Sequence, residues 1–312
     1  MASAFGDALA IARFHIVLIA TLGTVTFGWL LTGRYLVAAA GLCALDWFLV
    51  NLFNRLTDLT EDLQNSVPGT EWVARARRML AVLGTVLLVG SLAATAYWHP
   101  GLLPWRVLMQ ALGLAYNYPL LPLPQRRDGR LVWARTRFKE VYAWKNLSSA
   151  LIFIVTCFGY PLAWSGTTPL VGWAGMAALA AYFFLFELSY EIFYDLRDLP
   201  GDRLAGVPTF PVVHGAATAT RIIDALLVAS ASVIVVAVGL GWLGLREALL
   251  VVAPLVQWLV YRPRVRRGLG AGDGVFITHL GSAELGLFLV GTAVWLQLGL
   301  PANVFLRASP SW

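Results

Sequence analysis

Asn54, Asp58 and Asp62 recur every four residues in a chain with only 17 carboxylates among 312 residues, and Glu187, Glu191 and Asp195 repeat that spacing further on. Asp198 and Asp202 continue the second series after an offset of one residue. With Glu61, the two stretches hold 8 of the 17 carboxylates. On a helix, an i, i+4, i+8 series lies along one face over roughly 12 Å. The amide oxygen of Asn54 and the carboxylates of Asp58 and Asp62 are therefore expected to point at a common cation. All-oxygen donor sets of this kind suit hard divalent cations, chiefly Mg²⁺, which in turn hold a substrate's phosphates. Pro200-Gly201 weakens the helix within the second series, so Asp202 is expected on a turn. Either cluster alone reads equally well as a solvated helix end; two with matching spacing favour a site.

The elements that position these acids are membrane helices. The chain is 59% hydrophobic and 13% charged, with a mean hydropathy of +0.71, far from a soluble domain of this length. Runs long enough to span a bilayer fall at roughly 9–32, 36–54, 79–98, 102–118, 140–164, 168–194, 219–243, 246–261 and 276–298. They predict an all-α polytopic membrane protein, about nine transmembrane helices in one bundle around a central cavity, forming a single transmembrane domain over 1–312. The first span is too long for a cleavable signal peptide. Cys43 and Cys157 fall inside spans and read as small buried residues. The four histidines have no metal-ligand spacing.

Polar loops follow the second, fourth, sixth and eighth helices, and they carry 17 of the 23 Lys and Arg residues. The opposite side carries only Arg34, Arg106, Arg246 and Arg307. The positive-inside rule places the N-terminus and both acidic clusters in the cytoplasm. The net charge of +6 is explained by anionic lipid headgroups and an anionic substrate, with no nucleic acid required. Acidic clusters closing helices two and six, each followed by a polar loop of about twenty residues, hint at an internal repeat. The loop after helix four, Pro119 to Arg127, is Pro-rich and then basic.

Lys139 and Lys145 are the only lysines. Lys145 is expected to be shielded from bulk solvent, where its ammonium can bind diphosphate oxygens as a point charge; the alternative is a side chain that snorkels to the interface. Lys139 reads as part of the basic loop. Arg203 and Arg197 are further candidate phosphate contacts. Asp46, two turns before Asn54, borders an acceptor pocket or pairs with a neighbouring helix. Glu187 and Glu191 could orient or deprotonate an acceptor hydroxyl, or play a structural part. Glu284 and His279 in the last span carry no assignment. Most Trp and Tyr residues suit interfacial belts, but Tyr116, Tyr118, Tyr190 and Tyr194 are best placed to face a carbocation with their rings.

Together these residues resemble the signatures of the UbiA superfamily of intramembrane prenyltransferases. Asn54, Asp58 and Asp62 match its N-x-x-x-D-x-x-x-D box after helix two, and Asp198 and Asp202 match its D-x-x-x-D box after helix six, with Asp195 in the extended form. The run from Asp198 to Gly215 is similar to the family's D-x-x-G-D-x-x-x-G-x-x-T-x-P segment, with the first glycine one position late. Tyr116-Asn-Tyr118-Pro119 and Lys145-Asn146 resemble its Y-x-x-P and K-N elements. The resemblance implies two Mg²⁺ ions, one on each box, bridging the diphosphate of an allylic prenyl diphosphate. It implies metal ligands at Asn54, Asp58, Asp62, Asp195, Asp198 and Asp202, with Glu191 beside them in catalysis. Substrate contacts are then expected at Lys145, Asn146, Arg203, Tyr116, Tyr118, Tyr194 and Asp46. Ionisation would leave an allylic carbocation for an electron-rich acceptor, inside a bundle that excludes water.

Two departures bear on the acceptor. Many members have Asp directly after the Asn of the first box, where this chain has Arg55, and beyond Asp62 it continues Asn65-Ser66-Val67-Pro68 rather than with a basic residue and Thr. The leading expectation is transfer of the prenyl group to an aromatic, phenolic or quinoid acceptor. The alternative is a terpene cyclase that uses the same ionisation without an external acceptor. A cation-coupled transporter fits less well, because transporter sites lie near the membrane midplane and these boxes lie at one rim.

Overall fold

Two features of the backbone decide where the acids end up: which helices are enclosed, and how the helices carrying the boxes terminate. In the computed structural model, residues 11–64, 67–127 and 130–299 are described. Arg307 and the Asn65-Ser66 step lie outside them, as do the side chains of Glu61, Arg126, Arg127 and Arg130. The long helices are α1 (Phe14–Thr32), α2 (Val37–Thr57), α5 (Arg77–Trp98), α7 (Trp144–Ser165), α8 (Gly172–Ala205), α10 (Ala216–Gly239), α11 (Leu245–Arg267) and α12 (Ala271–Gln297). Among the described residues these are the eight long and apolar enough to cross a bilayer. Two short helices, α3 (Leu59–Gln64) and α4 (Thr70–Arg75), follow α2, and α9 (Phe210–His214) follows α8.

The remaining expected span, 102–118, is the 15-residue helix α6 (Leu103–Asn117). At 1.5 Å per residue it extends about 22 Å, short of a hydrocarbon core of about 30 Å. Its end is dictated by Pro119, which forces Tyr118 into the extended region (φ −119°, ψ 147°) and stops the helix at Asn117. The Pro-rich, basic stretch beyond it, expected as a loop, is a β-hairpin. Strand β1 (Leu121–Arg127) pairs antiparallel with β2 (Arg130–Thr136), in the register Leu121↔Thr136 to Arg127↔Arg130. A two-stranded ribbon leaves β1 an open edge, which is where prolines are tolerated.

Over their most apolar windows, α1, α2, α7 and α8 bury more than half of their residues, whereas α5 buries 17% and α11 22%. The first four form the interior; the others present apolar side chains such as Val82, Val86 and Leu259 outward, as lipid-facing helices do. The core joins Phe27, Phe158 and Phe183 of three inner helices, with ring centroids of Phe27 4.6 Å and 4.7 Å from the other two. Helix α7 carries a π-bulge at Val155–Gly159. Gly159 sits there against the Trp105 ring of α6, where an added Cβ would lie 2.3 Å from a ring carbon, so the close packing of α6 on α7 needs glycine.

Helix α8 runs straight through the second acidic series. Pro200 lies inside it, and the helix continues to Ala205, so Asp202 is helical rather than on a turn as expected. Its end is set by Gly206 (φ 67°), with the Val207 amide donating to the Asp202 carbonyl at 2.9 Å and the Gly206 amide to Arg203 at 3.3 Å. This is a Schellman cap, and it outweighs the local breaker signal of Pro200-Gly201.

Candidate functional site

The first box is not one unbroken helical stripe. Helix α2 ends at Thr57, Asp58 caps it with φ −102° and ψ 23°, and α3 restarts at Leu59. The break turns Asp62 away from its expected companions. Asn54 Nδ2 donates to Asp58 Oδ2 at 2.7 Å and to Asn117 Oδ1 of α6 at 2.9 Å. Asp62 instead accepts from Arg55 Nη1 at 2.5 Å, and Arg13 lies 3.9 Å from its other oxygen. Arg55 is fully buried and also donates to the Pro68 carbonyl at 2.9 Å, tying the loop beyond the box to α2. Burial pushes the Asp62 carboxyl above its ordinary range, against the pull of Arg13 and Arg55. Arg55, which sequence reasoning marked only as a departure, is thus the partner of the third acid of the box.

The second series faces the start of α7. Lys145 Nζ lies 2.8 Å from Asp195 Oδ1 and 3.3 Å from Asp202 Oδ2. Asn146 Nδ2 donates to Asp195 Oδ2 at 2.8 Å, and Ser149 Oγ donates to Glu191 Oε1 at 2.6 Å. Residues 145, 146 and 149 of one helix therefore meet residues 191, 195 and 202 of the other. Asp198 stands apart from this seam and is held by its neighbour Arg197 at 2.6 Å and 2.8 Å. Glu187, one turn deeper, is buried.

Lys139, expected as part of the basic loop, is instead the ion-pair partner of Asp58. It is nearly fully buried, with Nζ 2.7 Å from Asp58 Oδ1, and Arg137 Nη1 approaches the same oxygen at 3.5 Å. Its signal in the sequence is its rarity: one of two lysines, six residues before the other. Between the pair, Ala143 caps α7 with φ 61°, a left-handed conformation that alanine rarely adopts. Tyr116 of α6 directly precedes Asn117, whose Oδ1 accepts from Asn54 Nδ2 of the first box at 2.9 Å.

Other expected contacts are placed elsewhere. Asp46 pairs with neighbouring helices, the second of its two expected readings. It is fully buried and accepts from Arg106 at 2.5 Å and 2.8 Å, Gln110 at 2.8 Å and Tyr160 at 2.7 Å. A buried carboxylate needs this many donors to offset its desolvation, and they leave no oxygen facing a ligand. Arg203 is exposed near the end of α8, with no ion pair among the described residues. Tyr194 donates to the Gly274 carbonyl at 3.1 Å and shares a hydrogen bond with Thr278 at 2.6 Å, with Arg197 stacked 4.5 Å over its ring. Tyr118 is half-buried in the wall of an open cavity on the far side of the first box.

The donors suit a hard cation. Asp58, Asp195, Asp198 and Asp202, with the amide of Asn54, offer oxygen alone, and the Oδ1 atom of Asn146 is buried beside Asp195 without a hydrogen-bond partner. Among the described residues no three acidic, histidine or cysteine side chains already form a closed cage. Oxygen donors of this kind are those that hard cations such as Mg²⁺ take, alongside water and phosphate oxygens.

The fold is that of a polytopic helical membrane protein, with buried acidic, amide and ammonium side chains from several helices brought together. The chain belongs to the UbiA prenyltransferase family, whose model matches residues 5–271. It is an integral multi-pass membrane enzyme, a prenyltransferase. Its fold is similar to that of a UbiA homologue from Archaeoglobus fulgidus solved with GPP and Mg²⁺, with a TM-score of 0.67 and 17% identity over 92% of this chain and 99% of that one. It is also similar to a UbiA homologue from Aeropyrum pernix K1, with a TM-score of 0.61 and 15% identity over 90% of this chain and 98% of that one. In sequence, 109 residues are 30% identical to the digeranylgeranylglyceryl phosphate synthase of Thermococcus sibiricus. That match spans 31% of this chain and 37% of the relative.

Proposed function

We propose that the enzyme moves an isoprenoid chain from an allylic prenyl diphosphate to an aromatic, phenolic or quinoid acceptor and releases diphosphate, with Mg²⁺ as cofactor. One observation carries this reading: Lys139 and Lys145, on one short stretch of chain, are seated on opposite boxes, at Asp58 and at Asp195 with Asp202. Two acidic faces separated by two ammonium groups are suited to a diphosphate flanked by metal ions. The Archaeoglobus homologues solved with GPP or DMAPP and Mg²⁺ support the same substrate class.

In this reading Asn54 and Asp58 would hold one ion, joined by Asp62 only if it exchanges its Arg55 partner for the metal, and Asp195, Asp198 and Asp202 would hold the other. Bound Mg²⁺ supplies Lewis acidity that offsets charge on the departing diphosphate. The lysines hold the acids in place, and their ammonium groups would contribute positive charge toward the diphosphate oxygens. Asn146 orients Asp195, and Ser149 orients Glu191 toward the interior, where the carboxylate can accept a proton from a hydroxylated acceptor. Tyr116 is the residue whose ring would stabilise positive charge on the allylic carbon.

The boxes and the N-terminus are cytoplasmic in this account, and the whole chain acts as one domain. Arg106 and Arg246, counted from sequence on the opposite side, are buried in ion pairs with Asp46 and Glu247, which sharpens the charge asymmetry. A second reading of the acceptor, a glyceryl phosphate lipid, is favoured by the name of the Thermococcus relative. Purified protein, given Mg²⁺ and allylic diphosphates of several lengths with either acceptor class or none, separates the readings by mass spectrometry of the product. An aromatic adduct upholds transfer to an aromatic acceptor, a glyceryl ether replaces it, and a cyclic product formed without acceptor reassigns the enzyme as a cyclase.

A further inference from the structure

We infer a second anion site, apart from the two acidic boxes, that takes the phosphate monoester headgroup of a lipid. An open cavity of about 670 Å³ is lined by Thr57, Arg77, Asn117, Tyr118, Pro119, Arg135, Arg137 and Glu140. Its charged walls are three guanidinium groups and one carboxylate. Glu140 is already engaged by Arg137, through its Nε at 2.7 Å and its backbone amide at 3.0 Å. Arg77 and Arg135 make no ion pair among the described residues, although both line the same concavity. Guanidinium groups that line one hollow give it a positive potential that favours an anion.

The charge count selects the ligand: three guanidinium groups less one carboxylate leave two positive charges, the complement of a phosphate monoester dianion. Arginine's planar fork matches phosphate oxygens in pairs. Arg77 opens α5, whose first turn holds no acidic residue and no side-chain cap, so the positive end of that helix adds to the field. The surroundings select a lipid over free phosphate. The outer face of α5 beyond the cavity carries exposed Met79, Val82, Leu83 and Val86, an apolar track for a hydrocarbon tail. Lys139, Lys145 and the acids of the two boxes do not line the cavity. Arg137, 3.5 Å from Asp58, and Asn117, bonded to Asn54, form the wall between it and the first box.

The test needs neither Mg²⁺ nor turnover, so it stands or falls separately from the prenyl-transfer reading. Full-length protein is placed in phosphatidylcholine nanodiscs doped with phosphatidic acid in the presence of EDTA, and retained lipid is counted by native mass spectrometry. Wild type should enrich phosphatidic acid, and the Arg77→Ala/Arg135→Ala double variant should lose that enrichment by about tenfold or more. Arg135→Gln, a change at an exposed strand position that leaves the core untouched, should lose a smaller part while melting like wild type. Unchanged enrichment in both variants would overturn the site. Release of the lipid by an equal concentration of inorganic phosphate would overturn the lipid assignment. Competitive release by geranyl diphosphate would merge the cavity with the donor site and overturn its independence.

Discussion

Lys145 Nζ lies 2.8 Å from Asp195 Oδ1 at the seam between two inner helices, and it reaches Asp202 about two turns further along at 3.3 Å. One ammonium thus spans the second box. It is held between carboxylates of the helix bundle rather than snorkelling to the interface. Lys145→Ala removes the partner of a carboxylate that is 1% exposed, a loss of about 3–5 kcal/mol where a buried charge is left alone. Its melting temperature should therefore fall along with donor affinity. Lys145→Arg should keep most of the stability. Equal melting curves for wild type and Lys145→Ala would remove the ion pair from the account.

Lys139 does for Asp58 what Lys145 does for Asp195. Lys139→Ala should weaken prenyl diphosphate binding about tenfold or more, measured by isothermal titration in detergent. Arg203→Ala should change it less than twofold, because Arg203 is exposed and unpaired near the end of α8. A larger effect at Arg203 than at Lys139 would reverse the assignment of phosphate contacts.

Arg55 and Asp62 should behave as one unit. Arg55→Ala leaves Asp62 without its 2.5 Å partner and frees the Pro68 carbonyl, while Asp62→Ala leaves a buried guanidinium. The double variant should be more stable than the sum of the two single losses predicts, with a coupling of about 1–3 kcal/mol in urea unfolding. Strict additivity would mean that the pair is incidental.

Asp46 separates structure from chemistry. Asp46→Ala should lower stability by about 3–5 kcal/mol, because Arg106 is left buried and unpaired. The surviving folded fraction should bind donor with unchanged affinity. Weakened donor binding in fully folded Asp46→Asn would return this residue to the substrate pocket.

What was legible in the sequence was local, and what was not depended on distant partners. The box spacings, the apolar runs and the Lys145-Asn146 pair are short-range patterns, and Asn54 does meet Asp58 as a four-residue step requires. The break at Asp58 was not legible, because the pattern continues past it while Asp62 is drawn to Arg55 and Arg13. Asp58 and Lys139 are 81 residues apart, and Asp46 and Arg106 are 60 apart. No periodicity reports such pairs, so the sequence alone leaves Lys139 in the basic loop and does not choose between a pocket and a helix pairing for Asp46. Pro200-Gly201 was read as a breaker because propensity ignores context, while the cap at Gly206 and the clasp of Lys145 on Asp202 keep that turn helical.

The central claim is metal-dependent ionisation of a prenyl diphosphate between the two boxes. Its most direct test is diphosphate release by the purified enzyme from an allylic prenyl diphosphate and acceptor, followed in Mg²⁺, in excess EDTA and after Mg²⁺ is restored. Asp58→Ala and Asp202→Ala, one acid from each box, run in parallel. The account predicts release that stops in EDTA, returns with Mg²⁺ and falls by orders of magnitude in both variants while each remains folded. Undiminished release in excess chelator, or in either folded variant, would contradict it.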